Sequence, residues 1–343
     1  MIKADRLAGG GAASSEDAAK DALLTALREN PSEWTSLERA ARRLGATPAA
    51  VRALAAGLRD EGYQIEDDHE KGLRLVVPRN RLIAREIRRH LNTRVVGRRI
   101  IVLDSVASTN DVAWRETAAG APDGTAVFAE EQTAGRGRMG RTWVAPRGSA
   151  LLMSVILRPD LDAQHGSLIT VMSAVAVAQA LLDALPIQPR IRWPNDIMIG
   201  ERKTAGILVE SRNLPAGSAY AVGIGLNVST APDDFPPDLR PIATSLAAEA
   251  GVSVERTVIA QAILQELDRW YRDLNFGDYA RIAQRWRELS STLGNRVLLI
   301  ENGEEWQGRV LDISLEEGLI VRLDEGLTRI FHPSTVTLRH LPG

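Results

Sequence analysis

The stretch GRGRMGR, residues 135–141, interleaves Arg136, Arg138 and Arg141 with Gly135, Gly137 and Gly140, and Arg147 follows in the same loop-forming run, 131–148. A guanidinium forks onto phosphate or carboxylate oxygens, and glycine, lacking Cβ, lets backbone N–H groups approach the same anion. The chemistry on offer is the handling of a polyanion. A solvated basic loop is the plainer alternative, and these residues by themselves leave both open. The glycine spacing also matches a dinucleotide-binding fingerprint, but that motif needs a helix to begin at its third glycine and an acidic residue about 20 positions on. Here RTWVAPRGSALLMSVIL follows, in which Pro146 and Gly148 break any helix, so that use is excluded. Trp143 adds a flat wall for a ligand beside the cations.

Three further stretches carry groups that bind or react. SVASTND puts Ser108, Thr109 and Asn110 at a turn after the run RRIIVLD, where strand ends commonly carry ligand-binding groups, although the same residues serve as a helix cap. RWPNDIMIGERKTAGILVE sets Asn195 and Asp196 in a turn after Pro194, and Lys203 at the head of a strand. Lys203 alternates in phase with Ala205, Ile207 and Val209, which predicts that its ammonium shares their face, at a sheet edge or aimed into a site. In GIGLNV, Gly223 and Gly225 ahead of Asn227 either allow close backbone approach or mark a bulge.

Composition narrows the chemistry. No cysteine is present, which removes disulfides, thiolate metal sites and cysteine-based acyl transfer together. His69, His90, His165, His332 and His340 are scattered without a ligand-spaced pair, so no metal site built from protein side chains is expected. The net charge of −2 carries no whole-chain signature of nucleic-acid binding. No apolar run approaches the roughly 18 residues of a membrane span, and MIKADRLAGGGAASSEDAAK lacks a signal peptide's apolar centre. A cytoplasmic protein without a membrane partner is the expectation.

These groups need a scaffold, and 343 residues predict two or three domains. Residues 1–15, rich in Gly, Ala and Ser, read as a flexible tail. Helical spacing from Asp17 to Leu27 is followed by TSLERAARRL, opening on Thr35, Ser36 and Glu38, and then by GATPAAVRALAAGLRDEG. There Gly45 closes one helix, Thr47 caps the next and Pro48 takes its first position. YQIEDDHEKGLRLVV alternates and turns about Lys71 and Gly72 like a two-stranded wing, giving a winged helix-turn-helix over residues 16–80. Arg52, Arg59 and Lys71 are its candidate DNA contacts. Residues 1–80 nevertheless hold 12 Lys and Arg against 13 Asp and Glu, so a small helical domain that binds protein or nothing competes. PRNRLIAREIRRHLNT reads as a linker into residues 81–291. That segment mixes the strands RRIIVLD, TAVFAEE, ALLMSVILR, PRIRWP, TAGILVES and YAVGIGLNV with helices at 109–118, 166–185, 255–275 and 278–290. This is an α/β layer of the α+β, mixed-sheet kind, not strict βαβ alternation. From 292 to 343, short alternating runs punctuated by ENGE, EEG and DEG predict a small β-barrel.

Taken in order and spacing, STN at 108–110, GRGRMGR with Trp143, RWPNDI, RKTAGILVE and GIGLNV resemble the biotin protein ligases over nearly the whole chain. The resemblance implies an SH3-like C-terminal barrel. With the winged helix it implies the bifunctional branch, in which the ligase also represses biotin-synthesis genes. It further implies that biotin and ATP give biotinyl-5′-adenylate and pyrophosphate, and that the biotinyl group then passes to a lysine of the biotin carboxyl carrier protein of acetyl-CoA carboxylase. In the first step an anion attacks an anion. At about 4 Å and an effective dielectric near 20 each unit pair is worth roughly 4 kcal/mol, so cations and Mg²⁺ are required. By the same likeness Ser108, Thr109, Asn110 and Gln132 hold the ureido ring, and Arg136, Gly137 and Arg138 close over carboxylate and phosphate, with Trp143 and Gly206 bordering the biotin. Lys203 takes the carboxylate or acyl-phosphate oxygens. Arg141, Asn195, Asp196, Asn227 and Arg339 fall to the adenylate, with Asn195 and Asp196 also set toward its metal or the acceptor lysine and Asp196 the candidate to deprotonate that lysine. Met139 stands where the family often has another arginine. The adenylate is expected to order the loops and promote a homodimer on biotin-operon DNA.

Two other functions compete. A lipoate protein ligase resembles biotin ligases in fold and adenylates a related acid, and a ligand-sensing repressor binds without catalysis. The complete loop with Trp143 and the N-terminal domain favour biotin over lipoate, and Lys203 kept beside the arginines favours catalysis.

Overall fold

The computed structural model describes residues 15–29, 33–76, 80–161, 166–215 and 217–341; of the expected tail only Ser15 falls within it, and Pro78 of the linker lies outside. The chain divides into two compact units, Met1–Arg79 and Asn80–Gly343.

In the first unit, helices α1 (Ser15–Arg28), α2 (Leu37–Leu44) and α3 (Pro48–Asp60) precede a hairpin of β1 (Gln64–Asp68) and β2 (Gly72–Val76). Caps set the helix boundaries. Ser36 accepts from the Arg39 N–H, Gly45 ends α2 at φ 60°, and Thr47 accepts from the Ala50 N–H ahead of Pro48. The hairpin turn is held by Asp68, whose carboxylate accepts the Glu70 and Lys71 N–H groups at 2.9 Å. Leu23, Leu27, Val51, Leu58 and Leu73 are fully buried or nearly so and close the core.

The second unit begins with a short helix, α4 (Ala84–Arg88), and is built on a seven-stranded sheet. Its strands are β3 (Ile100–Val106), β4 (Ala126–Gln132), β5 (Ala150–Leu157), β6 (Pro189–Arg192), β7 (Asp196–Ile199), β8 (Arg202–Leu214) and β9 (Gly217–Asn227), in the spatial order β3-β4-β5-β9-β8-β7-β6. β3 and β4 pair in parallel, joined through α5 (Thr109–Ala118), and every other pair is antiparallel. Asp196, expected in a turn, opens β7. DIMI is a four-residue strand squeezed between two turns, too short for its periodicity to register.

α6 (Gly166–Ala184), α8 (Arg256–Asn275) and α9 (Tyr279–Leu289) pack on one face of the sheet, after a short α7 (Leu246–Ala250). α6 corrects the expectation about apolar runs. It is one helix long and apolar enough to cross a membrane, with a mean hydropathy of 1.7, but 72% of that window is buried inside the protein. A helix apolar all round suits a core held between a sheet and two further helices.

Strands β10 (Arg296–Glu301), β11 (Glu304–Ser314), β12 (Gly318–Leu323), β13 (Thr328–Phe331) and β14 (Val336–His340) form an antiparallel sheet in the order β13-β12-β11-β10-β14. The expected ENGE, EEG and DEG breaks fall at its turns. Its inward residues, among them Val297, Leu299, Val321 and Phe331, join the same continuous core as the large sheet.

Candidate active site

A strand has two faces, and in this sheet they differ sharply in chemistry. Along β9 the even positions Tyr220, Val222, Ile224 and Leu226 enter the helix-packed core, while the odd positions are Gly223, Gly225 and Asn227. β8 splits likewise into Ala205, Ile207 and Val209 on the core side and Gly206, Leu208 and Glu210 on the other. β5 contributes Ser154 to that second face, fully buried in an otherwise apolar strand. The second face floors a cavity of about 520 Å³, within the range of small-molecule sites.

The glycines are there because side chains lie flat on them. A Cβ at Gly225 would stand 2.6 Å from Trp143 Cε2, one at Gly206 3.2 Å from Trp143 Cζ3, and one at Gly223 2.6 Å from Asn110 Oδ1. The register of β9 is unbroken against both neighbours, which decides for close approach over a bulge in GIGLNV.

The start of α5 supplies the polar layer. Ser108 occupies the N-cap but makes no side-chain capping bond, and Ser108, Thr109 and Asn110 are all at most 5% exposed. The Thr109 N–H and hydroxyl both donate to Gln132 Oε1, at 2.7 and 3.0 Å. The Ser154 hydroxyl lies 2.7 Å from Thr109 Oγ1 and from Asn110 Oδ1. Thr109, Asn110, Gln132 and Ser154 therefore form one network, and Ser108 lines the cavity beside it.

Arg136, Gly137, Arg138, Arg141 and Trp143 line the cavity together with Lys203, Asn195, Asp196, Gly206 and Asn227. Arg138 is half-buried at the cavity wall. Its guanidinium donates to Asn195 Oδ1 at 3.2 Å and to the Pro333 carbonyl, both neutral acceptors. Burial pushes its pKa below the usual arginine value, with Asp196 opposing and Arg141 adding to the fall. Lys203 Nζ is 2.5 Å from Asp196 Oδ1 and 5.7 Å from the centre of the Trp143 ring.

Several sequence expectations change here. Lys203 does not share the face of Ala205 and Ile207. The register against β7 slips at this point, so that Lys203 pairs with Met198 and its Cε and Nζ lie beside Gly206 on the cavity face; the extra residue of a bulge flips the phase that strict alternation assumes. Arg136 lines the cavity, yet its guanidinium is forked onto Asp111 at 2.9 and 2.8 Å and reaches Glu210 at 3.2 Å. Arg147 is outside the lining, paired with Asp104 and Glu131. Arg339 is also outside: Val336, Thr337 and Leu338 of β14 reach the cavity, but Arg339 is exposed one position further along the strand. Asn195 spends both ends of its amide inside the protein, donating to the Ile207 carbonyl at 2.7 Å and accepting from Arg138.

Sequence reasoning missed Ser154, Asp111 and Glu210. Only Ser154 left a signal, as the lone polar residue within ALLMSVIL. In the first unit the candidate DNA contacts are engaged locally: Arg52 pairs with Asp67 at 3.2 Å, Arg59 donates to the Ile65 carbonyl at 3.1 Å, and Lys71 lies 5.7 Å from the Trp34 ring centre.

Comparison with known proteins places the site-bearing part of the chain in a family. Residues 102–229, which contain the polar layer, the loop and the glycine strands, match the biotin/lipoate A/B protein ligase family. The chain is 36% identical over 310 residues to the bifunctional ligase/repressor BirA of Bacillus subtilis, covering 90% of this chain and 95% of that protein. It is 32% identical to the biotin--[acetyl-CoA-carboxylase] ligase of Mycobacterium tuberculosis, over 66% of this chain and 85% of that one. Among solved structures, the biotin protein ligase from Aquifex aeolicus in complex with biotin and ATP superposes with a TM-score of 0.61 at 25% identity, covering 71% of this chain and 100% of that one. With its arginine loop, glycine-floored cavity and near full-length relatives, the chain belongs to the biotin protein ligase family.

Proposed function

We propose that this chain is an ATP-dependent biotin protein ligase, which forms biotinyl-5′-adenylate and transfers the biotinyl group to a lysine of the biotin carboxyl carrier protein of acetyl-CoA carboxylase. The observation that carries this reading is Arg138. A half-buried guanidinium whose contacts are neutral carbonyl oxygens is short of negative charge, and it lines a cavity sized for a small ligand. An arriving carboxylate or phosphate supplies that charge where desolvation makes it count most.

Each part of the site then has work to do. Ser108, Thr109, Asn110 and Gln132 present donors and acceptors to the ureido ring, and Trp143 and the glycine floor fit the flat apolar part of the acid. Lys203 and Arg138 gather the carboxylate and the α-phosphate, lowering the repulsion between two anions as the new bond forms. Arg141 and the buried Asn227, whose Oδ1 has no partner, face the nucleotide. An anion drawn to Lys203 competes with Asp196 for it, so substrate binding frees the Asp196 carboxylate. Asp196 is then the group to accept a proton from the acceptor lysine, whose ordinary pKa near 10.4 keeps it charged at neutral pH. Among the described residues no cluster of three or more acidic or imidazole groups could hold a metal. The lining offers only Asp196 and Glu201 as carboxylates, which fits Mg²⁺ that arrives with ATP and is held mostly by phosphate oxygens. Bound there, it neutralises phosphate charge.

The first unit, read as a winged helix-turn-helix with Arg52, Arg59 and Lys71 toward phosphates, supports a second role as a biotin-operon repressor, acting as a homodimer when the adenylate is bound.

Biotin-dependent ATP–pyrophosphate exchange, followed by transfer to a purified carrier domain, tests the ligase. Lys203→Ala is expected to lower transfer about 10²–10³-fold; equal rates would remove Lys203 from the reaction. Offering lipoate beside biotin and weighing the adenylate formed separates the two acids.

A further inference from the structure

Among the loop's cavity-lining cations, Arg136 is the one whose charge is already spent on two carboxylates. Both of its terminal nitrogens are bound by Asp111, at 2.9 and 2.8 Å, and one also reaches Glu210 Oε1 at 3.2 Å. The other oxygen of Glu210 accepts the Trp114 indole N–H at 2.9 Å, so the second carboxylate is itself held by α5. Two carboxylates around one guanidinium satisfy its charge, which leaves it unsuited to an incoming anion and well suited to a clamp.

We infer that Asp111 is a positioning residue: through Arg136 it fastens the neck of the glycine–arginine loop to the helix turn that carries the ligand's hydrogen-bonding groups. The backbone places the neck there. Thr133 and Ala134 N–H groups donate to the Val106 and Ala107 carbonyls at 2.9 Å, Arg136 bridges Thr142, and the Gly137 N–H donates to the Arg141 carbonyl at 2.7 Å. Asp111 follows directly on Thr109 and Asn110 in the first turn of α5. The neck of the loop and the polar layer are therefore fastened to one turn, and an ordered loop comes at lower entropic cost when the acid binds. The Arg136 guanidinium holds the Asp111 carboxyl below its ordinary value, so the clamp is fully charged at neutral pH.

The inference rests on the ligase reading for its kinetic consequence but not for the clamp itself, and the test separates the two. The full chain without substrates is exposed to trypsin, and cleavage after Arg138 and Arg141 is timed by mass spectrometry. Asp111→Ala is expected to speed that cleavage about fivefold, and Asp111→Glu to bring it back near the wild-type rate. In biotin-dependent pyrophosphate exchange, Asp111→Ala and Arg136→Ala are each expected to raise the KM for biotin about five- to tenfold, and the double variant no further. Unchanged cleavage in Asp111→Ala would overturn the clamp. So would an Arg136→Ala loss far beyond that of Asp111→Ala and additive with it, which would put Arg136 on the substrate. A wild type without exchange would sink the ligase reading while the trypsin rates still decide the clamp.

Discussion

At the scale of single residues, the cavity is defined as much by missing side chains as by present ones. Gly225 is the sharpest case, because a methyl there would meet three atoms of the Trp143 ring at 2.6 to 2.9 Å. Backbone on a paired central strand does not give way, so the ring must lift and the wall it forms is lost. Gly225→Ala is expected to leave the unfolding transition nearly unchanged, since the ring is at the surface of the cavity and not in the core. It should weaken biotin binding by about 1–3 kcal/mol, roughly five- to 150-fold. Isothermal titration with biotin reads the affinity and tryptophan emission reports the displaced ring; unaltered affinity would mean that the ring is no part of the pocket. The glycines were visible in GIGLNV and their neighbours, as were the arginines and Lys203. What they touch was not visible. Whether Gly225 serves a bulge or a stacked ring depends on a tryptophan 82 positions earlier in the chain (225 − 143), and Arg136 looks like Arg138 until Asp111 is found beside one of them and neutral carbonyls beside the other.

At the scale of elements, helices and strands came through where they were long and regular, because period and caps are local. The expected helices 109–118 and 166–185 recur as Thr109–Ala118 and Gly166–Ala184, the second legible as a long apolar run and not by spacing, since it is apolar all round. β7 and the bulge that redirects Lys203 did not, since a four-residue strand and a one-residue slip are set by pairing with neighbours. The least legible feature is the joint between β4 and α8. Arg256, the first residue of α8, is 1% exposed and pairs with Glu130 at 2.7 Å, the two lying 126 positions apart in the chain. In sequence it reads as an ordinary charge at a solvated helix start, and a cation at that end opposes the helix dipole. The structure compensates: the guanidinium also donates to the Ala150 and Asn80 carbonyls at 3.1 Å, and the second oxygen of Glu130 accepts the Leu82 N–H at 2.8 Å. One buried pair thus ties β4, β5, α8 and the entrance of the second unit together. Arg256→Ala leaves a carboxylate buried without its cation and is expected to cost about 3–5 kcal/mol, seen as a lower urea midpoint at the same slope. Arg256→Met with Glu130→Leu removes both charges and should recover most of the loss; a double variant as unstable as the single one would show that packing and not charge holds the joint.

At the scale of the whole molecule, the proposed repressor must bind DNA with little charge to spend. Acidic residues slightly outnumber basic ones in residues 1–80, and several of the basic ones are engaged: Arg52 with Asp67, Arg74 with Glu66, Lys71 and Arg74 over Trp34. Composition already gave that weakness, but the sequence could not say which cations were engaged. A single copy offering Arg52, Arg59 and Lys71 neutralises at most three phosphates, and each contributes about 0.9 to the salt slope of binding, so one copy should show a slope near −3 and two copies on a paired site near −5. Binding tight enough to regulate therefore requires two copies, and the adenylate supplies the switch if it favours pairing, because it shifts affinity only as far as it binds the paired form better than the single one. Fluorescence anisotropy on DNA from upstream of the chain's own biotin-synthesis genes, with and without biotinyl-5′-adenylate, is expected to show a steeper salt dependence and tighter binding with the adenylate. Lys71→Ala should flatten the paired slope by about 2, one contact from each copy, without changing ligation. Equal slopes with and without adenylate would mean that the two functions share a chain but not a signal.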